Sequence, residues 1–201
     1  SEMSLVHGRG AYRNKYFCGI MPWQRDLRGV NLCNGNLFKS FTDIEVSPAR
    51  GAGLVLQRTY NSNDERVGPF GVGWTHAYDL RIEEAGSNKV PSTDFFGGKH
   101  TFNRDADGLY TPPAYSHITM RSEYLQCLEV GPYDIAQDTQ ESLDGTVKHF
   151  IPNGDERICD YIADRYNNRT EFAYGLQVTI NGNTKKLLTQ VTDPSGRTLD
   201  F

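Results

Sequence analysis

The chain has 201 residues and a formal net charge of −4. A chain of this length corresponds to one or two domains and buries roughly 70% of its unfolded surface, so it needs neither a metal ion nor a disulfide to fold. The basic residues are scattered, which argues against nucleic-acid binding. No apolar run approaches the ~18 residues of a membrane span.

Both ends of the chain predict a piece of a longer protein. Ser1 and Glu2, ahead of Met3, look like residues left from cloning, and no apolar signal-peptide core follows them. Phe201 falls inside a predicted strand with no closing turn after it. The missing signal peptide is therefore uninformative about localisation.

The four cysteines are Cys18, Cys33, Cys127 and Cys159. They are widely spaced, and no histidine lies at zinc-ligand spacing from them. We predict buried free thiols, with one or two disulfides as the alternative. No metal ion or other cofactor is expected.

The first half of the chain predicts an irregular lead followed by strands. Residues 1–28 have little periodicity. Strands are then predicted at Leu37–Ile44 and Leu54–Asn61, where β-favouring residues lie between glycine, asparagine and proline. Tyr78–Glu83 alternates apolar with polar residues, which indicates a strand with one buried face.

The middle of the chain is harder to interpret. Phe95–Phe102 predicts a hairpin with a Gly-Gly turn, Asp105–Gly108 predicts another turn, and Thr111–Pro113 interrupts any strand there. Asn103–Gly108 resembles the start of a calcium loop, but position 12 of such a loop would be Ala114, so a plain turn is predicted. Gly131–Glu141 is compatible with one helical turn or with a loop.

The last third predicts consecutive hairpins. Strands are expected at Val147–Ile151, Ile158–Ala163, Thr170–Tyr174, Leu176–Ile180, Lys186–Thr192 and Arg197–Phe201. The turns between them are predicted from Asp144–Gly145, Asp164–Asn168, Asn181–Gly182 and Asp193–Gly196. A weak repeat also appears: Asp164 is followed by Asn167 and Phe172 as Asp193 is followed by Gly196 and Phe201, and such repeats bury their apolar faces by stacking on neighbours.

The ordered turn-and-strand elements resemble the Rhs/YD-repeat family. Residues 35–37, 42–43, 56–62 and 71–74 are similar to its N-terminal module, and residues 143–150, 164–168 and 191–197 are similar to its repeat strands and turns. The positions that carry the resemblance are Gly35, Asn36, Asp43, Arg58, Tyr60, Asn61, Gly71, Gly73, Trp74, Asp144, Gly145, Asp164, Asn167, Asp193, Gly196 and Arg197.

The resemblance implies a fold, a domain organisation and a role. The fold would be all-β, a twisted antiparallel sheet of consecutive hairpins with little helix, forming an open, sandwich-like or partly rolled fragment of a shell. Residues 1–28 would be the lead, 29–142 the N-terminal-type module and 143–201 the first repeat strands, truncated at the C-terminus. The segment would be non-catalytic, and the shell would enclose and help deliver a C-terminal toxin in bacterial competition. Its partners would be the rest of the parent chain and the cargo, at the cell surface or after secretion, with self-association through open β-edges.

Two other functions stay open. A carbohydrate or cell-surface binding module would use exposed aromatic residues, of which Trp23, Tyr110 and Tyr115 are the candidates; Trp74, between Gly71 and Gly73, is predicted to lie in the core. A hydrolase would use paired carboxylates about 5–9 Å apart, but nothing in the sequence selects a pair.

The five histidines are dispersed and form no catalytic set by spacing. His149 is predicted to be a core or interface side chain with its polar atoms satisfied, and His76 is a weaker candidate for lining a pocket.

Overall fold

The computed structural model of the protein describes residues 30, 35–48, 50–83, 88–95, 97–105, 109–114, 116–124, 135–180 and 182–201. Over these residues it contains sixteen β-strands and no helix. The strands are β1 (Phe38–Val46), β2 (Leu54–Asn61), β3 (Val67–Gly68), β4 (Gly71–Val72), β5 (Trp74–His76), β6 (Arg81–Glu83), β7 (Lys89–Thr93), β8 (Lys99–Arg104), β9 (Tyr110–Thr111), β10 (Thr119–Tyr124), β11 (Ile135–Glu141), β12 (Val147–Asn153), β13 (Glu156–Ala163), β14 (Arg169–Ile180), β15 (Asn183–Thr192) and β16 (Thr198–Asp200). The predicted all-β fold is confirmed, and no helix of membrane-spanning length and hydrophobicity occurs in these ranges.

The strands form three sheets, and their described pairings are antiparallel, as predicted. A three-stranded sheet has the order β1-β2-β5, and β3 pairs with β4. The third sheet has eleven strands, with the path β10-β11-β12-β13-β6-β7-β8-β9 and a branch through β14, β15 and β16. Both sheets of three or more strands are open, so they fit the predicted open fragment.

The chain divides into two compact units. In the described part, the first contains 35–45, 55–80 and 93–100. Its buried side chains are largely polar, with Thr59 and Thr75 directly opposite each other on one face of the three-stranded sheet. The Tyr78 hydroxyl accepts a hydrogen bond from the Val55 N–H at 2.8 Å, and Leu80 is buried nearby in sequence. A side chain–backbone hydrogen bond therefore contributes to this core, as burial of polar groups requires.

The second unit contains 46–54, 81–92 and 101–201, and most of the eleven-stranded sheet. Its core contains apolar and polar side chains, and the fully buried apolar members are Ile82, Val90, Phe102, Phe150, Cys159 and Val191. β13 pairs with β12 along one edge and divides its other edge between two strands. Glu156–Ile158 pairs with β6, and Tyr161–Ala163 pairs with β14.

Most predicted strands are present, with three differences. Tyr78 lies before β6, which begins only at Arg81. β14 runs from Arg169 to Ile180 without a break, although a strand interruption was expected near Gly175; the irregularity is reduced to register shifts around Tyr174. The turn of the β7–β8 hairpin is closed by Asp94 and Gly98, so it begins earlier than a turn centred on the two glycines.

The prediction of a helical turn or a loop at Gly131–Glu141 was wrong for its described part. Residues Ile135–Glu141 form β11, between β10 and β12. Among the β11 side chains that the structure describes, from Gln137 to Glu141, the buried ones are Asp138 and Gln140, which are polar. Hydrophobic periodicity cannot detect a strand whose inward residues are polar.

Candidate functional site

One five-residue turn recurs along the described chain. It occurs at residues 142–146, 164–168 and 193–197, where the N–H of the first residue donates to the carbonyl of the fifth at 2.9 to 3.2 Å. The same closing hydrogen bond joins Asp94 to Gly98 and Asp105 to Leu109, at 2.9 and 3.0 Å, around residues that the structure does not describe in full. The fourth residue has a positive φ where it is described: Gly97, Gly145, Asn167 and Gly196 have φ between 61° and 80°. This is a three-residue hairpin loop ending in a left-handed residue, which explains the glycine and asparagine at that position.

An aspartate side chain holds most of these turns closed. The Oδ1 atoms of Asp94, Asp105, Asp164 and Asp193 accept the N–H of the fifth residue at 2.8 to 2.9 Å. In the 142–146 turn the first residue is a serine, and Asp144 instead accepts the Thr146 N–H at 2.9 Å. The two copies of the sequence repeat, which begin at Asp164 and Asp193, therefore have the same turn hydrogen bonds.

Residues 47–53 lie against the two repeat turns. The Arg50 guanidinium donates to the Asn168 side chain at 2.6 Å, and Arg197 donates to the Ser47 carbonyl at 2.8 Å while it pairs with Asp193. A Cβ on Gly51 would lie 2.9 Å from the Asn168 Cβ and 3.0 Å from Pro194 Cγ. The repeat turns are therefore packing sites for another chain segment, and Gly51 is required for the close approach.

Hydrogen bonding lowers the pKa of three turn aspartates. The Thr146 backbone N–H lowers the pKa of Asp144, and the Asn168 side chain and backbone lower the pKa of Asp164. Burial alone would raise the pKa of Asp193, but the hydrogen bonds from Arg197 and Ser195 outweigh it and lower that pKa. Each carboxyl is thus held in its charged form.

Acidification is expected to destabilise the protein through these turns. Because the three folded-state pKa values lie below the ordinary value of 3.8, the unfolded chain takes up protons first as the pH falls. The stabilisation is present above that value and is lost as the pH drops through the lowered values. The free energy of unfolding, measured by urea denaturation from about pH 5 to about pH 1, should show this loss.

A matched variant isolates the contribution of the turns. Asp164→Asn with Asp193→Asn keeps an oxygen acceptor at each position but removes the titrating group. Its free energy of unfolding should change less with pH than that of the wild type. Equal pH dependence of the two proteins would contradict the role given to these carboxyls.

A second cluster of motif residues lies on one face of the three-stranded sheet. The Arg58 guanidinium contacts both oxygens of the Asp43 carboxylate, at 2.5 and 2.8 Å, and lies 5.8 Å from the Phe70 ring centroid and 5.5 Å from that of Trp74. Tyr60 packs on Trp74 with centroids 5.2 Å apart. The Arg58 hydrogen bonds lower the pKa of Asp43, and those to Asp43 raise the pKa of Arg58.

Trp74 is half-buried in this cluster, so its predicted place in the core was wrong. Its face of the sheet also carries Phe41, which is 45% exposed and lies 6.0 Å from Trp74 between ring centroids. The opposite face buries Thr75. Gly73 is needed because a Cβ there would lie 2.7 Å from the Asn61 carbonyl oxygen.

The remaining N-terminal motif residues meet where the chain enters and leaves this sheet. Asn36 is buried, and its Oδ1 accepts hydrogen bonds from the Ser62 hydroxyl and the Asn63 N–H, both at 3.1 Å. Ser62 in turn accepts the Leu37 N–H at 2.8 Å. Gly35 and Gly71 have positive φ, at 69° and 107°. These residues have structural roles in the described unit.

Of the three candidate ligand-binding aromatics, the structure describes Tyr110 alone. Trp23 and Tyr115 lie outside the described residues. Tyr110 is half-buried; burial raises the pKa of its phenol, and its hydroxyl is hydrogen-bonded to Ser122 at 2.9 Å. That hydroxyl is thus already engaged within the protein.

A buried polar chain extends from Tyr110 and was not found from the sequence. Ser122 also donates to the Asp138 carboxylate, whose other oxygen lies 2.7 Å from the Arg157 guanidinium. The Asp138 side chain is 0% exposed and that of Arg157 is 6% exposed. Nothing in sequence spacing links Asp138 with Arg157, because they meet only through the order β11-β12-β13.

Three histidines and one cysteine have partners within the fold. His149 lies 2.5 Å from Asp160 and 2.8 Å from Gln137 through its two ring nitrogens, so its polar atoms are satisfied as predicted. His76 accepts the Tyr78 N–H, and His100 lies 3.1 Å from Asp94. Cys159 is a buried free thiol, as predicted, and burial raises its pKa. The predictions for Cys18, Cys33 and Cys127 lie outside the described residues.

The chain is similar in sequence to one domain family and to three bacterial nucleases. Residues 28–102 match the family described as a domain of unknown function, DUF6531. The chain is 30% identical over 145 residues to the tRNA nuclease WapA of Bacillus subtilis strain 168 and to the tRNA(Glu)-specific nuclease WapA of Bacillus subtilis subsp. natto. The tRNA3(Ser)-specific nuclease WapA of Bacillus spizizenii is equally similar. Each match covers 72% of this chain, and the chain spans 6% of the length of each relative.

Proposed function

We propose that this chain is a non-catalytic wall segment of a toxin-delivery protein of the Rhs/YD-repeat type. In this role it forms the start of a β-shell around a C-terminal toxin, at the cell surface or after secretion. The observation that supports the proposal most strongly is the repeated aspartate turn, which connects successive antiparallel strands and packs against another segment of the chain. Its partners are the remainder of the parent chain and the enclosed toxin.

The relatives support a role separate from the toxin activity. Their names specify tRNA(Glu) in one case and tRNA3(Ser) in another, yet each is 30% identical to this chain over 145 residues. A segment that determined the tRNA target would be expected to resemble one of them more than the other. The small part of each relative that is matched, 6%, leaves ample length for a separate toxin domain.

Substitution of the repeat turns should impair delivery without inactivating the toxin. In a strain that produces the full-length parent protein, Asp164→Ala with Asp193→Ala removes the carboxylates that hold both turns. Killing of non-immune neighbours in co-culture should fall towards that of a toxin-deleted strain, and the toxin should become accessible to added protease. The excised toxin domain should keep its activity in vitro.

Two controls accompany this experiment. Asp200→Ala removes an exposed aspartate outside the turns and should leave killing unchanged. The 201-residue chain alone should not cleave total tRNA. Cleavage by this chain, or full killing by the doubly substituted parent, would overturn the proposed function.

A further inference from the structure

β1 is the outer strand of the three-stranded sheet in the part of the chain that the structure describes, and an isolated bridge between Val30 and Leu37 lies just before it. β1 pairs with β2, and no other described strand pairs with its second edge. Every residue from Lys39 to Glu45 is exposed, although the strand alternates its side chains between two faces. An exposed edge of this length presents unpaired backbone groups and is a template for another strand.

The contacts between β1 and β2 show which residues of β1 direct their backbone N–H and C=O groups away from β2. The Ser62 N–H donates to the Leu37 carbonyl at 3.0 Å, Ser40 lies 3.1 Å from Thr59 between hydroxyl oxygens, and Phe41 shares a face with Trp74. These contacts fit one uninterrupted antiparallel register. Backbone groups alternate in direction along a strand, so the odd-numbered residues of β1 face β2. The even-numbered residues then direct their N–H and C=O groups to the open edge, and these are Phe38, Ser40, Thr42, Ile44 and Val46.

We infer that β1 pairs antiparallel with β1 of a second copy of this chain, about a twofold axis at Thr42. Thr42 is the middle residue of Phe38–Val46, so this register pairs the whole strand with itself. It places Lys39 opposite Glu45 of the other copy, and symmetry repeats this pair. Lys39 and Glu45 form non-hydrogen-bonded pairs, in which opposed side chains are closest, and opposite charges there are favourable.

The charge pattern selects this register over its neighbours. A symmetric pairing can be centred on an even-numbered residue, as a hydrogen-bonded pair, or on an odd-numbered one, as a non-hydrogen-bonded pair. Centring on Phe41 pairs only Phe38–Ile44 and places Lys39 opposite Asp43, but both oxygens of that carboxylate already contact Arg58. Centring on Asp43 places that aspartate opposite its own copy, which is unfavourable. Centring on Ser40 pairs only Phe38–Thr42 and leaves Glu45 outside the ladder. Centring on Ile44 pairs only Thr42–Val46 and places Asp43 opposite Glu45, two like charges, which is unfavourable.

The experiment measures the dimerisation of the 201-residue chain and of charge-reversal variants by sedimentation equilibrium over a concentration series. The wild type should dimerise. Lys39→Glu and Glu45→Lys should each weaken dimerisation by roughly tenfold or more, because each replaces two attractive pairs by two repulsive pairs. The double variant, Lys39→Glu with Glu45→Lys, should recover wild-type affinity. A mixture of the two single variants should form a heterodimer, since their charges are again complementary.

A matched control tests whether reversal of a charge elsewhere on the surface also weakens dimerisation. Lys186→Glu reverses an exposed lysine on β15, outside the three-stranded sheet, and should leave the dimerisation constant unchanged. Circular dichroism should show that each variant remains folded. A monomeric wild type, or single variants that dimerise as well as the wild type, would overturn the inference. The pairing concerns β1 alone and does not depend on the proposed wall function.

Discussion

Replacement of Arg157 by methionine is expected to lower the free energy of unfolding by about 3–5 kcal/mol, the range for breaking a buried ion pair. The substitution leaves the Asp138 carboxylate in a site where its side chain is 0% exposed, without the guanidinium that lies 2.7 Å away. Methionine has a similar length, so lost packing contributes little. Urea denaturation followed by circular dichroism measures the effect.

A second substitution distinguishes the loss of the ion-pair attraction from the cost of leaving the Asp138 charge buried without its partner. Asp138→Leu combined with Arg157→Met removes both charges, and the double variant should be more stable than Arg157→Met alone, because a buried pair is often replaced by apolar residues with little cost. Lys185→Met provides a less buried comparison: it removes the ion pairs of Lys185 with Asp155, whose side chain is 54% exposed, and with Glu156, whose side chain is 10% exposed. Its cost should be smaller than that of Arg157→Met, because solvent screens the exposed part of this cluster. A similarly small cost for Arg157→Met would contradict the importance of the buried pair.

Replacement of Phe150 by alanine is expected to cost about 3–5 kcal/mol of the free energy of unfolding, the usual range for deleting a buried aromatic ring. Phe150 is 0% exposed in the middle of β12, opposite Asp138 on one side and Cys159 on the other. The cavity would therefore open at the centre of the sheet, where neighbouring strands restrict its collapse. Thermal and urea denaturation both report the loss.

An exposed leucine supplies the comparison for this core substitution. Leu143 is 82% exposed in the turn before β12, so Leu143→Ala should change the free energy of unfolding by less than about 0.5 kcal/mol. If Phe150→Ala unfolded at nearly the same urea concentration as Leu143→Ala, the core position of Phe150 would be contradicted.

The predictable part of the fold is the part in which local chemistry determines the structure. β2 was predicted with its observed bounds because its residues favour strands and a glycine-rich turn precedes it. The turns at Asp164 and Asp193 were predictable because aspartate, glycine and asparagine have specific roles in three-residue loops. The two-copy repeat was visible for the same reason. The same spacing also occurs at Asp94, Gly97 and Phe102 and, with a serine in the first position, at Ser142, Gly145 and Phe150, and the same closing backbone hydrogen bond is formed there.

The unpredicted part depends on strand order or on which face is buried. Trp74 and Thr75 alternate on β5, but the sequence does not show that the threonine face is inside and the tryptophan face half-exposed. β11 was missed because it buries Asp138 rather than an apolar side chain. The partner of that carboxylate, Arg157, becomes a neighbour only after β12 is placed between the two strands.

The division of β13 has a consequence for the order in which the protein folds. Its Tyr161–Ala163 part pairs with a strand that follows within a few residues, whereas Glu156–Ile158 pairs with β6, whose Arg81 is separated from Glu156 by 75 positions. Closing the longer loop costs more conformational entropy, and non-local contacts form later in folding. The β12–β16 meander is therefore expected to assemble as a local nucleus. The junction with β6 would close afterwards, so the second edge of β13 is completed early at Tyr161–Ala163 and late at Glu156–Ile158.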